Sequence, residues 1–193
     1  MRLKKYLVTE PSVFDGSQFA SQWMRKYFKE DQEGIIAFQG PFQPAGDLSI
    51  SFADQELFQG CQLLHLVVRH HHRDVEKLRL QQRLLLDVAK DKLNHRLLQH
   101  PAHGDMVPKD IVPTDIVQRW GQDLRRGAEH LSVSAVQMTT AGAMIYLGIQ
   151  EPRAAEQTPL PSGQGAKLDL LELAQAIMDQ YVFEVESARQ PIP

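Results

Sequence analysis

The stretch from Arg119 to Gln150 constrains the fold of this chain more than any other, because only a pair of adjacent extended strands satisfies its pattern. From His130 to Gln137 the residues alternate. Leu131, Val133 and Ala135 fall on one face and Ser132, Ser134 and Val136 on the other, which is the period of two that a strand imposes. Thr139-Thr140-Ala141-Gly142 reads as a turn, after which Ala143 to Ile149 returns as an almost wholly apolar run. A run of that kind belongs to a strand central in its sheet. Gly148 within it has no side chain, so backbone there can approach a ligand.

The rest of the chain supplies both kinds of element. Tyr6-Leu7-Val8 can start an edge strand, and Ile35 to Phe38 and Leu63 to Val68 read as short buried strands. Asp15-Gly16-Ser17 marks a turn or cap before Phe19, Trp23, Met24, Tyr27 and Phe28. Their spacing of three and four predicts an amphipathic helix over Ser17 to Lys29 with an aromatic core stripe. Leu78, Leu85, Val88, Ala89 and Leu93 predict a long helix between Asp74 and Leu93. A last helix begins at Asp169, a capping residue with Glu172 three positions on, and buries Leu170, Leu171, Ala174, Ile177, Met178, Tyr181 and Val185. Pro101, Gly104, Pro108 and Pro113 make His95 to Thr114 an irregular connection, and 152–165 reads as an exposed linker or lid. The expected architecture is α+β: one domain over 1–193, with a mixed, largely antiparallel sheet covered by helices on one side.

With 193 residues, 42% of them apolar, the chain can bury a sizeable core. A net charge of −3 argues against a broad phosphate-neutralising surface for nucleic acid, a mode that needs clustered lysine and arginine. The single cysteine, Cys61, excludes an internal disulfide framework and fits a reducing cytosol. No stretch matches a signal peptide or a bilayer-spanning helix, so a cytoplasmic protein with no membrane association is expected.

Gln122, Asp123 and His130 bracket the start of the patterned segment and are expected to converge at one pocket. There Asp123 would position a ligand hydroxyl, amine or metal, and His130 would act as hydrogen-bond donor or proton carrier. The bland alternative is a turn carboxylate and a solvated imidazole. Ser132 and Ser134 share a face and can donate to a carboxylate or phosphate, although such serines more often bond along a sheet face. Gly40, before Pro41 at a strand end, can present backbone to an anion or simply make a turn. Of His70, His71 and His72, only the first and third can face one ion, while His95, His100 and His103 sit in the proline-bearing stretch. Solvated surface histidines are the expectation for both clusters, with no metal site. Cys61 beside an apolar strand is expected to be a small filler, with a nucleophilic role as the alternative.

The residues Trp120, Gln122-Asp123-Leu124, His130-Leu131 and Leu147-Gly148-Ile149 resemble the signature of biotin protein ligases. That signature runs Trp-Pro-Asn-Asp-Leu, then a Lys-Leu-Ala-Gly strand, then a Gly-Ile-Asn strand, and the seven-residue interval from Asp123 to His130 is the same. Gly121-Gln122-Asp123-Leu124 and His130-Leu131-Ser132-Val133-Ser134 resemble more closely an uncharacterised archaeal and bacterial family, domain-of-unknown-function family 366. Gln81, Gln82 and Arg83 match a polar step of that family, or else form a solvated helix face. The resemblance implies the catalytic fold shared by biotin and lipoyl ligases and class II aminoacyl-tRNA synthetases. It also implies a small carboxylate-containing or nucleotide-like ligand against the hairpin, bound by Gly40, Gln122, Ser132, Ser134 and Gly148, with sheet-edge pairing into a homodimer common for the fold.

The departures bear on activity. The ligases use the strand lysine as a fixed cation for an acyl-adenylate, and here the position is His130. Val133 stands where they have glycine, and the loop Gln39-Gly40-Pro41-Phe42-Gln43-Pro44-Ala45-Gly46 has none of the arginines of their Gly-Arg-Gly-Arg-Gly loop. Two further readings therefore stand beside ligand binding: a non-catalytic dimerising or protein-docking domain with a closed pocket, and a cysteine-dependent acyltransferase acting through Cys61. No cofactor is specified by these residues.

Overall fold

The alternating and apolar segments pair as the pattern requires. The computed structural model describes residues 2–29, 32–45, 50–99, 116–140, 142–152 and 169–190. Strands β7 (Ser132–Thr139) and β8 (Gly142–Ile149) are antiparallel, in register from Thr139 opposite Gly142 to Ser132 opposite Ile149. β8 lies inside a five-stranded sheet of order β1-β2-β3-β8-β7, formed with β1 (Lys4–Leu7), β2 (Gly34–Pro41) and β3 (Gln62–His70). β1 runs parallel to β2 and every other neighbour is antiparallel, so the sheet is mixed and largely antiparallel.

One face carries the long helices. Ile35, Ala37, Leu64, Leu66, Val68, Ile145 and Leu147 pack against α3 (Val75–Gln99) and α4 (Leu170–Ser187), through Leu78, Leu85, Ala89, Ile177, Tyr181 and others. The side-chain oxygen of Asp169 accepts from the amides of Leu171 and Glu172 and starts α4 as expected. The predicted helix end at Leu93 falls short, since α3 runs on through His95 to Gln99. His100, His103 and 153–168, which hold nearly all of the supposed linker, lie outside the described residues.

Cover on one side alone is corrected by the opposite face. There Ile36, Phe38, Leu63, Val67, Val133, Ala135, Met144 and Tyr146 meet an aromatic layer of Phe14, Phe19, Phe28, Phe42 and Phe58. β2 and β3 are apolar at consecutive positions, so both of their faces must be removed from water. Short elements do this: a 3₁₀ turn at Ser17–Phe19, α1 (Ser21–Arg25) and α2 (Phe52–Phe58). The single helix expected from Ser17 to Lys29 is thus broken, because Ala20 is extended (φ −70°, ψ 137°). The kink lets Phe19, Met24 and Phe28 all reach the sheet.

A second, three-stranded sheet precedes β7: β4 (Val117–Trp120), β5 (Asp123–Arg126) and β6 (Glu129–His130). Gly121 and Gly127, at φ 63° and 58°, make its two tight turns. No helix among the described residues is long and apolar enough to cross a membrane.

Candidate functional site

Asp123 and His130 are brought together by strand register. β5 and β6 are antiparallel with Arg125 opposite His130, so Asp123, two residues before Arg125, lies on the same face and diagonal to the imidazole. Such diagonal neighbours are within reach of long side chains. A third group arrives from elsewhere in the chain: a carboxylate oxygen of Asp54 on α2, a carboxylate oxygen of Asp123 and a ring nitrogen of His130 all lie within 4.8 Å of one another.

Each of the three is half-buried. Burial raises the Asp123 carboxyl above its ordinary range and the Asp54 charge raises it further, against the smaller opposing influence of His130 and Arg125. Arg125 stacks on the ring of Trp120 at 5.8 Å. Its Nε and Nδ1 of His130 are buried without a hydrogen-bond partner among the described residues. The rim thus assembles two carboxylates, an imidazole and a guanidinium with donor capacity in hand.

Asp54 and Arg125 were not singled out from sequence. Arg125 was accessible to the same parity argument as Asp123 once β5 is recognised as a strand. Asp54 had only a local signal, the Ser51-to-Asp54 spacing of a capping pair, and that pair does form: the Ser51 hydroxyl accepts from the Asp54 amide and donates to Asp54 Oδ2 at 2.5 Å. Nothing local says that α2 ends up beside β5.

The remaining sequence candidates do not join this rim. Ser132 Oγ accepts from the Leu124 amide at 2.8 Å, and Ser134 Oγ donates to the Gln122 carbonyl at 2.8 Å while accepting from Gln82 Nε2 at 2.9 Å. The serines and Gln122 therefore dock the small sheet onto β7 and α3. Gln81 and Gln82 are buried, which removes the alternative of a solvated helix face for these two. Gly40 and Gly148 lie on β2 and β8, and the space a side chain would need is taken by protein. A Cβ at Gly40 would fall 1.9 Å from the Ser12 carbonyl oxygen, and one at Gly148 would fall 2.3 Å from the Tyr146 hydroxyl and 2.9 Å from Leu63. Over that sheet face the Phe14 and Tyr146 rings stack at 3.8 Å.

Two histidines are structural. His65 is fully buried; its Nε2–H donates to the Gly40 carbonyl at 2.9 Å, which fixes the tautomer and leaves Nδ1 to accept from the Tyr146 hydroxyl at 2.9 Å. Burial pushes its pKa down to about 4. His70 is buried too, which corrects its expectation as a solvated surface group: Nε2 meets the Tyr181 hydroxyl at 2.9 Å and Nδ1 faces Glu33 at 3.6 Å. His72 does share a face with His70, stacked at 5.6 Å, but its Nε2 meets Gln81 Oε1 at 2.7 Å. Cys61 is half-buried between α2 and β3, its thiol 3.9 Å from the Leu57 carbonyl.

A mixed five-stranded sheet with a hairpin at one side and long helices on one face defines an α+β protein whose fold resembles that of biotin protein ligase. The chain belongs to the family described as a domain of unknown function (DUF366), whose model matches residues 3–192. Among solved structures it is similar to a protein of unknown function from Pyrococcus horikoshi, at 18% identity and TM-score 0.64, covering 96% of this chain and 95% of that one. It is also similar to a biotin protein ligase variant from Aquifex aeolicus in complex with biotin, at 14% identity and TM-score 0.56, covering 96% and 72%. The same Aquifex ligase in complex with biotin and ATP aligns at 12% identity and TM-score 0.52, covering 94% and 71%. These identities speak to the fold. No curated protein matches the chain.

Proposed function

We propose that this is a cytoplasmic ligand-binding protein that holds a small carboxylate-containing or nucleotide-like molecule beside the hairpin, at the rim formed by Asp123, His130, Asp54 and Arg125. The observation that carries the reading is the convergence of Asp123 and His130, seven residues apart, with two groups from other positions. Arg125 supplies the cation for an anionic group, since the strand lysine of the ligases is absent. Support also comes from the fold relative solved with biotin and ATP. Asp123 and His130 are assigned to positioning and proton handling of the bound molecule.

Calorimetry with ATP, biotin, lipoate, fatty acids and amino acids tests the reading. One class is expected to bind one to one, with Arg125→Gln weakening it at least about tenfold, the loss of one charge-assisted pair. Silence from every compound sinks it.

The closed aromatic face favours a second reading. With Phe14, Tyr146 and Val133 filling the sheet face, the chain would act as a non-catalytic dimerising or docking domain. A dimer in sedimentation, together with silent calorimetry, supports that alternative. Acyl transfer through Cys61 requires rapid labelling of the native thiol by iodoacetamide and loss of function in Cys61→Ser; slow labelling removes it.

A further inference from the structure

Two carboxylates at the rim are an awkward reception for an anion, and their geometry indicates what relieves it. The ligand oxygens of Asp54 and Asp123 and a ring nitrogen of His130 lie within 4.8 Å of one another. Donors bound to a single first-row ion at ~2.1 Å sit roughly 3–4 Å apart, so small side-chain rotations bring all three onto one centre. Three features favour an ion. The three groups come from three elements, α2, β5 and β6, and are half-buried rather than splayed into solvent. A buried nitrogen, Nδ1 of His130, has no hydrogen-bond partner among the described residues. Asp54 is held in place through its other role, as the partner of Ser51 at the start of α2.

We propose that Asp54, Asp123 and His130 form a binding site for a divalent transition-metal cation, Zn²⁺ or Mn²⁺, with coordination positions left open toward the rim. One imidazole and two carboxylates suit these ions; Ca²⁺ prefers six to eight oxygens, and Mg²⁺ keeps most of its water. Three protein ligands are the usual complement of an open site, in which water or a ligand completes the shell. The site deepens the proposed function, on which its second role rests: the bound cation provides positive charge where the ligases have lysine, and with Arg125 makes the rim receptive to an anionic group.

The test is titration of chelator-treated protein with Zn²⁺, Mn²⁺ and Mg²⁺ by calorimetry, with cobalt(II) absorption as a second readout. Expected is one high-affinity site for Zn²⁺ or Mn²⁺, weaker Mg²⁺, and visible cobalt bands. Asp123→Asn, His130→Ala and Asp54→Asn should each weaken the ion at least about tenfold, the scale seen even when the supporting groups of a metal site are lost. Asparagine at 54 keeps the backbone amide that the Ser51 cap accepts from, and circular dichroism with a melting curve confirms that each variant folds. His72→Ala should leave affinity unchanged. No metal binding by the native chain, or equal binding by the folded site variants, overturns the proposal. An anionic ligand that binds with unchanged affinity in chelator overturns the cation's second role while leaving the ligand reading intact. A cation that binds at these residues with no anionic ligand taken up supports the metal site and removes the ligand reading.

Discussion

His65 shows how a single residue can look like chemistry and serve structure. It lies at the middle of the sheet, sealed by the Phe14 and Phe38 rings, with both ring nitrogens used internally. Because burial holds its pKa at about 4, against an ordinary value of 6.5, the fold selects the neutral imidazole. On acidification the unfolded chain takes up the proton first. The stabilisation is therefore complete above pH 6.5, is lost as pH falls through the interval from 6.5 to 4, and levels off below it. The loss should amount to about 3 kcal/mol. Urea denaturation at pH 7 and pH 4.5 checks this: the native protein should lose more stability between the two than His65→Phe, which has no proton to gain. A parallel loss in both would remove His65 as the cause. His130 and Asp123 differ from His65 in their surroundings, since Nδ1 of His130 has no hydrogen-bond partner among the described residues and the Asp123 carboxyl is raised by burial and by a second carboxylate.

Among the elements, α4 was the most legible and α1 the least. α4 carries an unbroken apolar stripe and its own capping signal, so local chemistry and packing agree. Removing the cap should cost about 1 kcal/mol. Asp169→Ala is accordingly expected to lower the melting temperature by several degrees, whereas Glu172→Gln, which breaks an ion pair with Arg96 at 2.7 Å that is largely exposed on the Glu172 side, should change it little. Equal losses in the two variants would contradict the assignment. Around α1 the spacing of Phe19, Trp23, Met24 and Phe28 marks core-seeking residues, but tertiary packing breaks the helix at Ala20 to satisfy it. β4, β5 and β6 are short and polar, with no periodic signal long enough to read. Only Gly121 and Gly127 hinted at their turns.

At the scale of the whole molecule, a charge network centred on the buried Glu33 ties α4 to the sheet. Glu33, just before β2, accepts from the His71 amide at 2.9 Å, faces His70 at the end of β3, and pairs with Arg189 beyond α4. Burial alone would raise the Glu33 carboxyl, but the donors and charge of His70, Arg189 and the His71 amide outweigh it and hold the pKa well below the usual range. A depressed carboxyl stabilises above its unfolded pKa, and that contribution fades as pH falls through the folded value. Glu33→Gln should therefore destabilise at pH 7 by about 2 kcal/mol, the scale of hydrogen bonds to a charged group, with the difference shrinking in acid. Equilibrium unfolding of both proteins at pH 7 and pH 3 measures it; a constant difference would argue for packing alone.

The residues by themselves determined the class of fold, because alternation in β7, continuous apolar runs in β2, β3 and β8, and the stripes of α3 and α4 are each local properties with one economical solution. That Asp123 and His130 meet was an expectation from their spacing, and the β5–β6 register that puts them on one face belongs to the tertiary structure. What only the tertiary structure decided is which other groups stand with them and which surfaces are closed. Asp54 reaches the pair because α2 packs across the sheet. Gly40 and Gly148 are covered because Ser12 and Tyr146 are folded against them. Such contacts join residues far apart in the chain, and no local propensity or spacing encodes them.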